Sequence, residues 1–287
     1  MERSFRPPAV AGQFYERDGA SLAHQVEQCF RDPRGPGGIP PPHRASDRRV
    51  RGAVVPHAGY VYSGPIAAHA FYHIAAERPP ESVLVLGVDH RGTSRGAALS
   101  DRPWLTPLGP TAVDHDLVRA LARGPIEVDE EAHRGEHSIE VELPFLEYVL
   151  PKPKFVALMV AHGPLELLEE VGRIVRDAVG ERDVLLLAST DFSHYVPAPT
   201  ADRLDHLAID AILSRDPGRL YRTVAREQIS MCGIAPTTVL LAATREEPLS
   251  ARLLRWGHSG EAAPMGEVVG YASLLLEDVR GGPPALK

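Results

Sequence analysis

Lysine is nearly missing from this sequence of 287 residues, since it occurs only at Lys152, Lys154 and Lys287. None of the three lies in an apolar stretch that would lower its pKa, so Schiff-base and pyridoxal chemistry are not expected. The formal net charge is −7 and no basic block stands out. Because a protein that neutralises phosphates carries a basic face, nucleic acid is not an expected partner.

Cysteine and long apolar runs are also scarce. The two cysteines, Cys29 and Cys232, form no Cys-x-x-Cys pair, which excludes a disulfide framework and a zinc knuckle. No apolar run approaches the roughly 18 residues of a membrane span, and the first residues lack the apolar segment of a signal peptide. We therefore expect no membrane partner and a cytoplasmic location.

Short apolar runs alternate with helical patterns along the chain. Runs rich in Val, Leu and Ala predict buried strands at 50–55, 82–86, 155–160, 184–188 and 268–275. Helical spacing recurs at 21–31, 66–77, 114–122, 165–179, 201–214 and 217–227. This alternation predicts a single α/β domain over 1–287, with a central, mostly parallel sheet flanked by helices. The segment 33–43, rich in Pro and Gly, predicts an irregular loop, and 281–287 a flexible tail.

Four predicted strands are each followed closely by a histidine: His57, His90, His162 and His194. Ligands of open α/β sheets bind at the carboxyl ends of the strands. A single loop histidine is usually a hydrogen-bonded structural residue, but four at equivalent edges favour a site. If the strands are neighbours, the imidazoles meet in one cleft.

A carboxylate or a thiolate beside these imidazoles would complete a transition-metal site. Asp191 lies three residues before His194, so one turn could direct both inward. Cys232 precedes a helical run at 237–244, and a helix N-terminus favours the thiolate. A buried apolar thiol is the alternative for Cys232, and its loop-like flanks leave both interpretations open.

The segment 133–140 contains His-x-x-Glu-His, the pattern of one metalloprotease class. That chemistry needs one continuous helix, whereas Gly135 interrupts the pattern and the helical spacing begins at about Ser138. The favoured interpretation is an irregular loop that presents Glu136 and His137 to the cleft. A helix start whose carboxylates favour the dipole is the structural alternative.

Several motifs together resemble the Memo family, the B component of the AmmeMemoRadiSam system. They include Pro-His-Ala-Gly-Tyr-Val-Tyr-Ser-Gly at 56–64, Glu-His-Ser-Ile-Glu at 136–140 and Asp-Phe-Ser-His-Tyr at 191–195. Further matches lie at 6–15, 143–146 and 232–233. Each motif alone is weak, but their order and their spread over nearly the whole chain are specific.

The resemblance implies a fold like that of class III extradiol dioxygenases, which use non-haem Fe(II). It implies a metal site at His57, His90 and Cys232, with Asp191 and His194 close by. Family members are linked to iron or copper, and one branch to phosphorylated receptor peptides. The family name alone points to radical-SAM and AMMECR-type partners.

Two features depart from the patterns that this resemblance provides. Val88-Asp89 replaces the Pro followed by Asn or Ser that usually precedes the second histidine. Asp89 could add charge at the metal or hold the ring of His90. The dioxygenases complete their site with a carboxylate, whereas this pattern offers Cys232, and a thiolate favours copper or zinc.

Three functions follow as hypotheses. The first is a redox enzyme of the dioxygenase type, with Fe(II) as the expected metal and Cu or Zn as alternatives. His194 or His137 would move protons in it, and Asp191 would orient an imidazole. The second is a zinc-type hydrolase with Glu136 as general base. The third is a non-catalytic protein that binds a peptide, a small molecule or a metal in the cleft.

Overall fold

A mixed β-sheet covered by helices on both faces forms the body of the protein, in a computed structural model that describes residues 5–41 and 46–280. The helices are α1 Gly19–Arg31, α2 Gly64–Ala76, α3 His115–Leu121, α4 Glu130–His133, α5 Leu143–Val149, α6 Leu165–Val179, α7 Ala198–Leu213, α8 Pro217–Arg226 and α9 Ile234–Ala243. The strands are β1 Val50–Val55, β2 Ser82–Val88, β3 Ala97–Ser100, β4 Leu105–Thr106, β5 Gly109–Pro110, β6 Ala112–Val113, β7 Ile126–Val128, β8 Lys154–Val160, β9 Val184–Ser189, β10 His194–Val196, β11 Leu249–His258 and β12 Val268–Asp278.

The sheet is parallel at its centre and mixed at its margins. Its order is β10-β12-β1-β9-β2-β8-β3-β7, with β11 beside β12 and β6 beside β8. The pairs β1–β9, β9–β2 and β2–β8 are parallel, as the continuous apolar runs predict. Strands β12 and β3 pair antiparallel with β1 and β8, respectively. The carboxyl ends of β1, β9, β2 and β8 therefore lie side by side.

Alternating side chains of the central strands build two separate cores. Val54, Leu84 and Leu186 face the layer of α3, α6, α7, α8 and α9. Val55 and Val85 face the layer of α1, α2 and α5. Because both faces of each strand are covered, polar chemistry on these strands is confined to their ends.

The structure confirms the predicted α/β class with a central, mostly parallel sheet. Residues 33–41 contain no helix or strand, whereas 42 and 43 and the predicted tail 281–287 lie outside the described residues. The helix expected from about Ser138 begins later, as a 3-10 helix at Glu140–Glu142 that continues into α5. Among the described residues no helix is long and apolar enough to cross a membrane.

Candidate metal centre

Three of the predicted site residues lie at one edge of the sheet. His57, His90 and Asp191 each stand two residues after the end of a strand, β1, β2 and β9, respectively. Strand β9 lies between β1 and β2 in the sheet. The Oδ1 atom of Asp191 accepts a hydrogen bond from the backbone N of His57 at 2.9 Å, which ties two strand ends together.

Cys232 reaches the same edge from the loop before α9. The backbone N of Gly233 donates to Thr190 Oγ1 at 2.9 Å, which holds this loop against the end of β9. A Cβ atom at position 233 would lie 2.2 Å from Thr190 Cβ, so only glycine permits the approach. The backbone N of Asp191 donates to Cys232 Sγ at 3.2 Å.

Two imidazoles and one thiol converge into a group that could hold a metal ion. The potential ligand atoms of His57, His90 and Cys232 all lie within 4.8 Å of one another. Nε2 of His57 is 3.4 Å from Cys232 Sγ. His57 is only 1% exposed, whereas His90 and Cys232 are partly accessible. The group is therefore closed on the His57 side and open on the other.

The Nδ1 atoms of both histidines already have partners. Nδ1 of His57 is 2.8 Å from Ser189 Oγ. Nδ1 of His90 is 2.9 Å from Glu136 Oε1. With Nδ1 engaged, Nε2 of each ring is left for a metal, which is the arrangement in which outer partners fix the orientation of a ligating imidazole.

Glu136 is surrounded by hydrogen-bond donors. Its Oε1 atom accepts from the backbone N of His137 at 2.8 Å and of Ser138 at 2.9 Å. Its Oε2 atom accepts from the backbone N of His90 at 3.1 Å. Burial raises the pKa of Glu136, but the hydrogen bond and charge of His90 outweigh it, with further help from Ser138, and bring the pKa well below its usual range. Glu136 is therefore ionised near neutral pH.

His137 stacks on His90 and extends the histidine cluster. The two ring centroids are 4.8 Å apart, with an angle of 15° between the planes. The ring of His57 meets His137 edge-on at 5.4 Å. His90, Glu136 and His137 form a second set of close potential ligand atoms. The pKa of His137 lies below its usual value, because burial and the charge of His90 outweigh the opposing effect of Glu136.

His194 begins β10 and contacts the loop that carries Cys232. Its backbone N donates to Ser230 Oγ at 2.7 Å. Its Nδ1 atom is 2.7 Å from the carbonyl O of Phe192 and 2.8 Å from that of Ser230. Because carbonyl oxygens only accept, Nδ1 carries a hydrogen. His194 is in neither group of potential ligand atoms.

Burial favours neutral forms at the centre of the site. It lowers the pKa of His57 well below the usual range, and His137 and His90 lower it further. It raises the pKa of the Cys232 thiol, and Asp191 raises it further. It also raises the pKa of Asp191 to about 6, although His194 opposes this. A metal ion that binds Cys232 would therefore displace the thiol proton.

Two other histidines singled out in the sequence lie apart from the group. His162 follows β8 but is exposed and belongs to neither set of potential ligand atoms. His133 is fully buried beside Trp104, and its Nε2 is 3.0 Å from the carbonyl O of Ala98. Helix α4 ends at His133, so the protease pattern does not lie on one helix.

Ser189 and Glu142 are two site residues that the sequence analysis missed. Ser189 ends β9, contacts His57, and its Oγ atom lies 2.8 Å from Glu142 Oε1. Ser189 carries no sequence signal of its own. Glu142 does, because an acidic residue that interrupts the apolar run 139–146 predicts a buried carboxyl with a specific partner.

Comparison with known proteins agrees with this architecture. A solved structure of an uncharacterized protein from Escherichia coli K12 shares the fold, with a TM-score of 0.54 and 18% identity over 79% of this chain and 99% of that one. A MEMO1 family protein of Methanopyrus kandleri is 40% identical over 284 residues, which is 96% of this chain and 99% of the relative. A MEMO1 family protein of Methanothermobacter thermautotrophicus is 38% identical over 276 residues, which is 94% of this chain and 99% of the relative. The family described as Memo-like protein matches residues 6–275. The chain belongs to the Memo family.

Proposed function

We propose that this chain is a redox metalloprotein of the non-haem dioxygenase type, with Fe(II) held by His57, His90 and Cys232. The observation that carries the proposal is the convergence of these three potential ligand atoms within 4.8 Å, on the open edge of the sheet. A surface cluster formed by chance would lack the outer partners that both imidazoles have here.

The donor set fits a transition metal. Two neutral imidazoles and one thiolate suit iron, copper or zinc, while the hard ions Ca²⁺ and Mg²⁺ prefer oxygen ligands. Three protein ligands leave coordination positions for a substrate, as in other catalytic sites. Bound Fe(II) would supply the electron transfer with O₂ on which such oxidations depend.

Residues around the group would bind and move protons. Two carbonyl oxygens engage the Nδ1 atom of His194, so Nε2 is the ring nitrogen that would accept a proton. His137 is partly accessible and stacks beside His90, in a position to meet a ligand at the open face. Asp191 would orient His57 by accepting a hydrogen bond from the backbone N of His57, not from its imidazole ring.

The zinc-hydrolase alternative has less support, because its general base is already engaged. Both oxygens of Glu136 accept hydrogen bonds, and its pKa is well below the usual range. A carboxylate so stabilised is a weak base. Glu136 is better suited to hold His90 in place.

The decisive experiment compares the metal content of wild-type protein and two cysteine variants, each purified without oxygen. We expect stoichiometric metal, predominantly iron, in the wild type and its loss in Cys232→Ser. Cys29→Ser is the matched control, because Cys29 lies in the core on α1, outside either group of potential ligand atoms. Equal metal content in wild type and Cys232→Ser would refute the proposed ligand set.

Activity is tested separately with the iron-loaded protein. Oxygen uptake with a panel of catechols should exceed that of the His57→Ala variant, which would lack one ligand. Activity that persists in Zn(II)-loaded protein without O₂ would instead support the hydrolase. Protein that refuses Fe(II), Cu(I) and Zn(II), yet binds a peptide, would make the non-catalytic binding function the leading one.

A further inference from the structure

Glu142 carries a buried carboxyl group, and among the residues that the structure describes no side chain of opposite charge pairs with it. It ends the 3-10 helix before α5, and its side chain is fully buried. Its Oε1 atom is 2.8 Å from Ser189 Oγ, whereas Oε2 has no hydrogen-bond partner within residues 5–41 and 46–280. An ionised carboxylate in such a place would be costly, since a buried charge needs pairing and full hydrogen bonding.

The hydroxyl of Ser189 lies at the centre of three short contacts. Its Oγ atom is 2.7 Å from the carbonyl O of Ser138, 2.8 Å from Glu142 Oε1 and 2.8 Å from Nδ1 of His57. A serine hydroxyl has one hydrogen to donate and two lone pairs that accept. Each of the three contacts can therefore be a hydrogen bond only if one partner accepts and two donate.

The partner that accepts is fixed by chemistry. The carbonyl O of Ser138 has no hydrogen, so Ser189 must donate to it. Nδ1 of His57 must then donate to Ser189, and so must Glu142. A carboxyl group can donate only when it is protonated. An ionised Glu142 would take the single hydroxyl hydrogen and leave two acceptor oxygens, Ser189 Oγ and Ser138 O, at 2.7 Å with no hydrogen between them.

We infer that Glu142 is a neutral carboxylic acid that donates to Ser189 and so fixes His57 with its hydrogen on Nδ1 and its lone pair on Nε2. Glu142 is thus a positioning residue for the metal group, and in this respect the inference rests on the proposed function. Nε2 of His57 is the atom that faces Cys232 Sγ, at 3.4 Å.

Two further observations agree with a neutral Glu142. The carbonyl oxygen of a protonated acid tolerates the missing partner at Oε2 better than a carboxylate oxygen would. Burial raises the pKa of Glu142 well above its usual range, and the Asp191 carboxylate raises it further, although the Ser189 hydrogen bond opposes this. Ketosteroid isomerase, a known case, uses a carboxylic acid kept neutral by its surroundings as a hydrogen-bond donor in the same way.

The protonation state is tested directly by infrared spectroscopy at neutral pH. The difference spectrum between wild type and Glu142→Gln should contain the carbonyl stretching band of a neutral carboxylic acid. Glu131→Gln is the control, because Glu131 is exposed on α4 and forms an ion pair with Arg134, away from Ser189. Carboxylate bands in place of the acid band at Glu142 would overturn the inference.

The effect on His57 is read by nitrogen NMR of labelled histidine in metal-free protein. Wild type and Glu142→Gln should both carry the hydrogen on Nδ1, because the glutamine amide also donates to Ser189. Glu142→Leu removes the donor, so the Ser189 hydroxyl keeps only the carbonyl O of Ser138 as a restraint and can also turn toward Nδ1 of His57; a fraction of the other His57 tautomer should then appear. An unchanged tautomer in Glu142→Leu would contradict the positioning role.

A cobalt titration then links this role to metal binding. We expect Glu142→Gln to bind Co(II) within about threefold of wild type, and Glu142→Leu to bind about 10- to 100-fold more weakly, as for other outer partners of ligating histidines. Equal weakening by both substitutions would indicate an ionised acceptor and refute the inference. Absence of Co(II) binding by wild type would refute the proposed function, while the infrared and NMR results would still decide the state of Glu142.

Discussion

Replacing Glu136 by glutamine tests how the site holds its more accessible histidine. In the wild type, Glu136 Oε1 accepts from Nδ1 of His90 at 2.9 Å and from the backbone N of His137 and Ser138. Its Oε2 atom accepts from the backbone N of His90. Glutamine keeps the shape, but it removes the charge and turns one acceptor into a donor.

The expected loss follows from these contacts. If the amide oxygen takes the place of Oε1, the amide NH₂ group faces the backbone N–H of His90 and leaves it unsatisfied, at a cost of about 1–3 kcal/mol. The remaining hydrogen bonds also weaken, because a charged acceptor forms stronger bonds than a neutral one. We expect Glu136→Gln to lower the free energy of unfolding by about 3 kcal/mol at pH 7. We also expect it to weaken metal binding about 10- to 100-fold.

The pH dependence gives a second readout of the same residue. The folded-state pKa of Glu136 is below that of the unfolded chain, so its contribution to stability is present above the unfolded value of about 4.5 and declines as the pH falls below it. The difference in stability between wild type and Glu136→Gln should therefore shrink on acidification below that pH.

Urea unfolding at pH 7 and pH 4, with a Co(II) titration at pH 7, measures these effects. Glu131→Gln is the matched control, since Glu131 lies nearby on α4, is exposed and forms an ion pair with Arg134. That exposed ion pair should contribute at most about 1 kcal/mol. If Glu136→Gln were no more destabilising than Glu131→Gln and bound metal equally well, Glu136 would not be the residue that holds His90.

Three further perturbations have defined outcomes. Burial lowers the pKa of His133 to about 4, so the free energy of unfolding should fall by up to about 3 kcal/mol as the pH drops from about 6.5 to 4. Urea unfolding of His133→Gln over the same pH range should show a smaller fall. Arg6→Met leaves the buried carboxylate of Glu140 without its ion-pair partner and should lower the free energy of unfolding by about 3 kcal/mol in the same assay. A loss no greater than that from replacing a surface arginine would contradict this. Gly233→Ala forces a Cβ atom against Thr190 and should lower both the melting temperature and the bound metal, whereas wild-type values would refute the close approach.

The central fold was predictable because its strands are buried on both faces. Continuous apolar runs identified β1, β2, β8, β9 and β12, and the breaks that follow them located the histidines. Strand order could not be derived from one sequence, yet it decides which strand ends meet. His57 and His90 lie on strands separated only by β9, whereas His162 follows β8, beyond β2, and stays exposed.

Contacts over long sequence distance explain what the sequence could not reveal. Ser189 touches His57 and Glu142, residues more than 40 positions away, and nothing near Ser189 predicts either contact. The sequence predicts that Asp191 orients an imidazole, and this stays a prediction; the structure shows its Oδ1 atom accepting from the backbone N of His57. Nδ1 of the His57 ring contacts Ser189, at the end of β9.

The two metal-facing imidazoles are held in different ways, and this difference bears on function. His90 contacts an ionised carboxylate, Glu136, which makes its ring a stronger electron donor and favours a metal cation. Nδ1 of His57 contacts the neutral hydroxyl of Ser189 in a fully buried setting, where an added negative charge would be costly. The ionised partner of the two rings thus lies on the side of His90, and a ligand would approach from that same side, past His90 and Cys232.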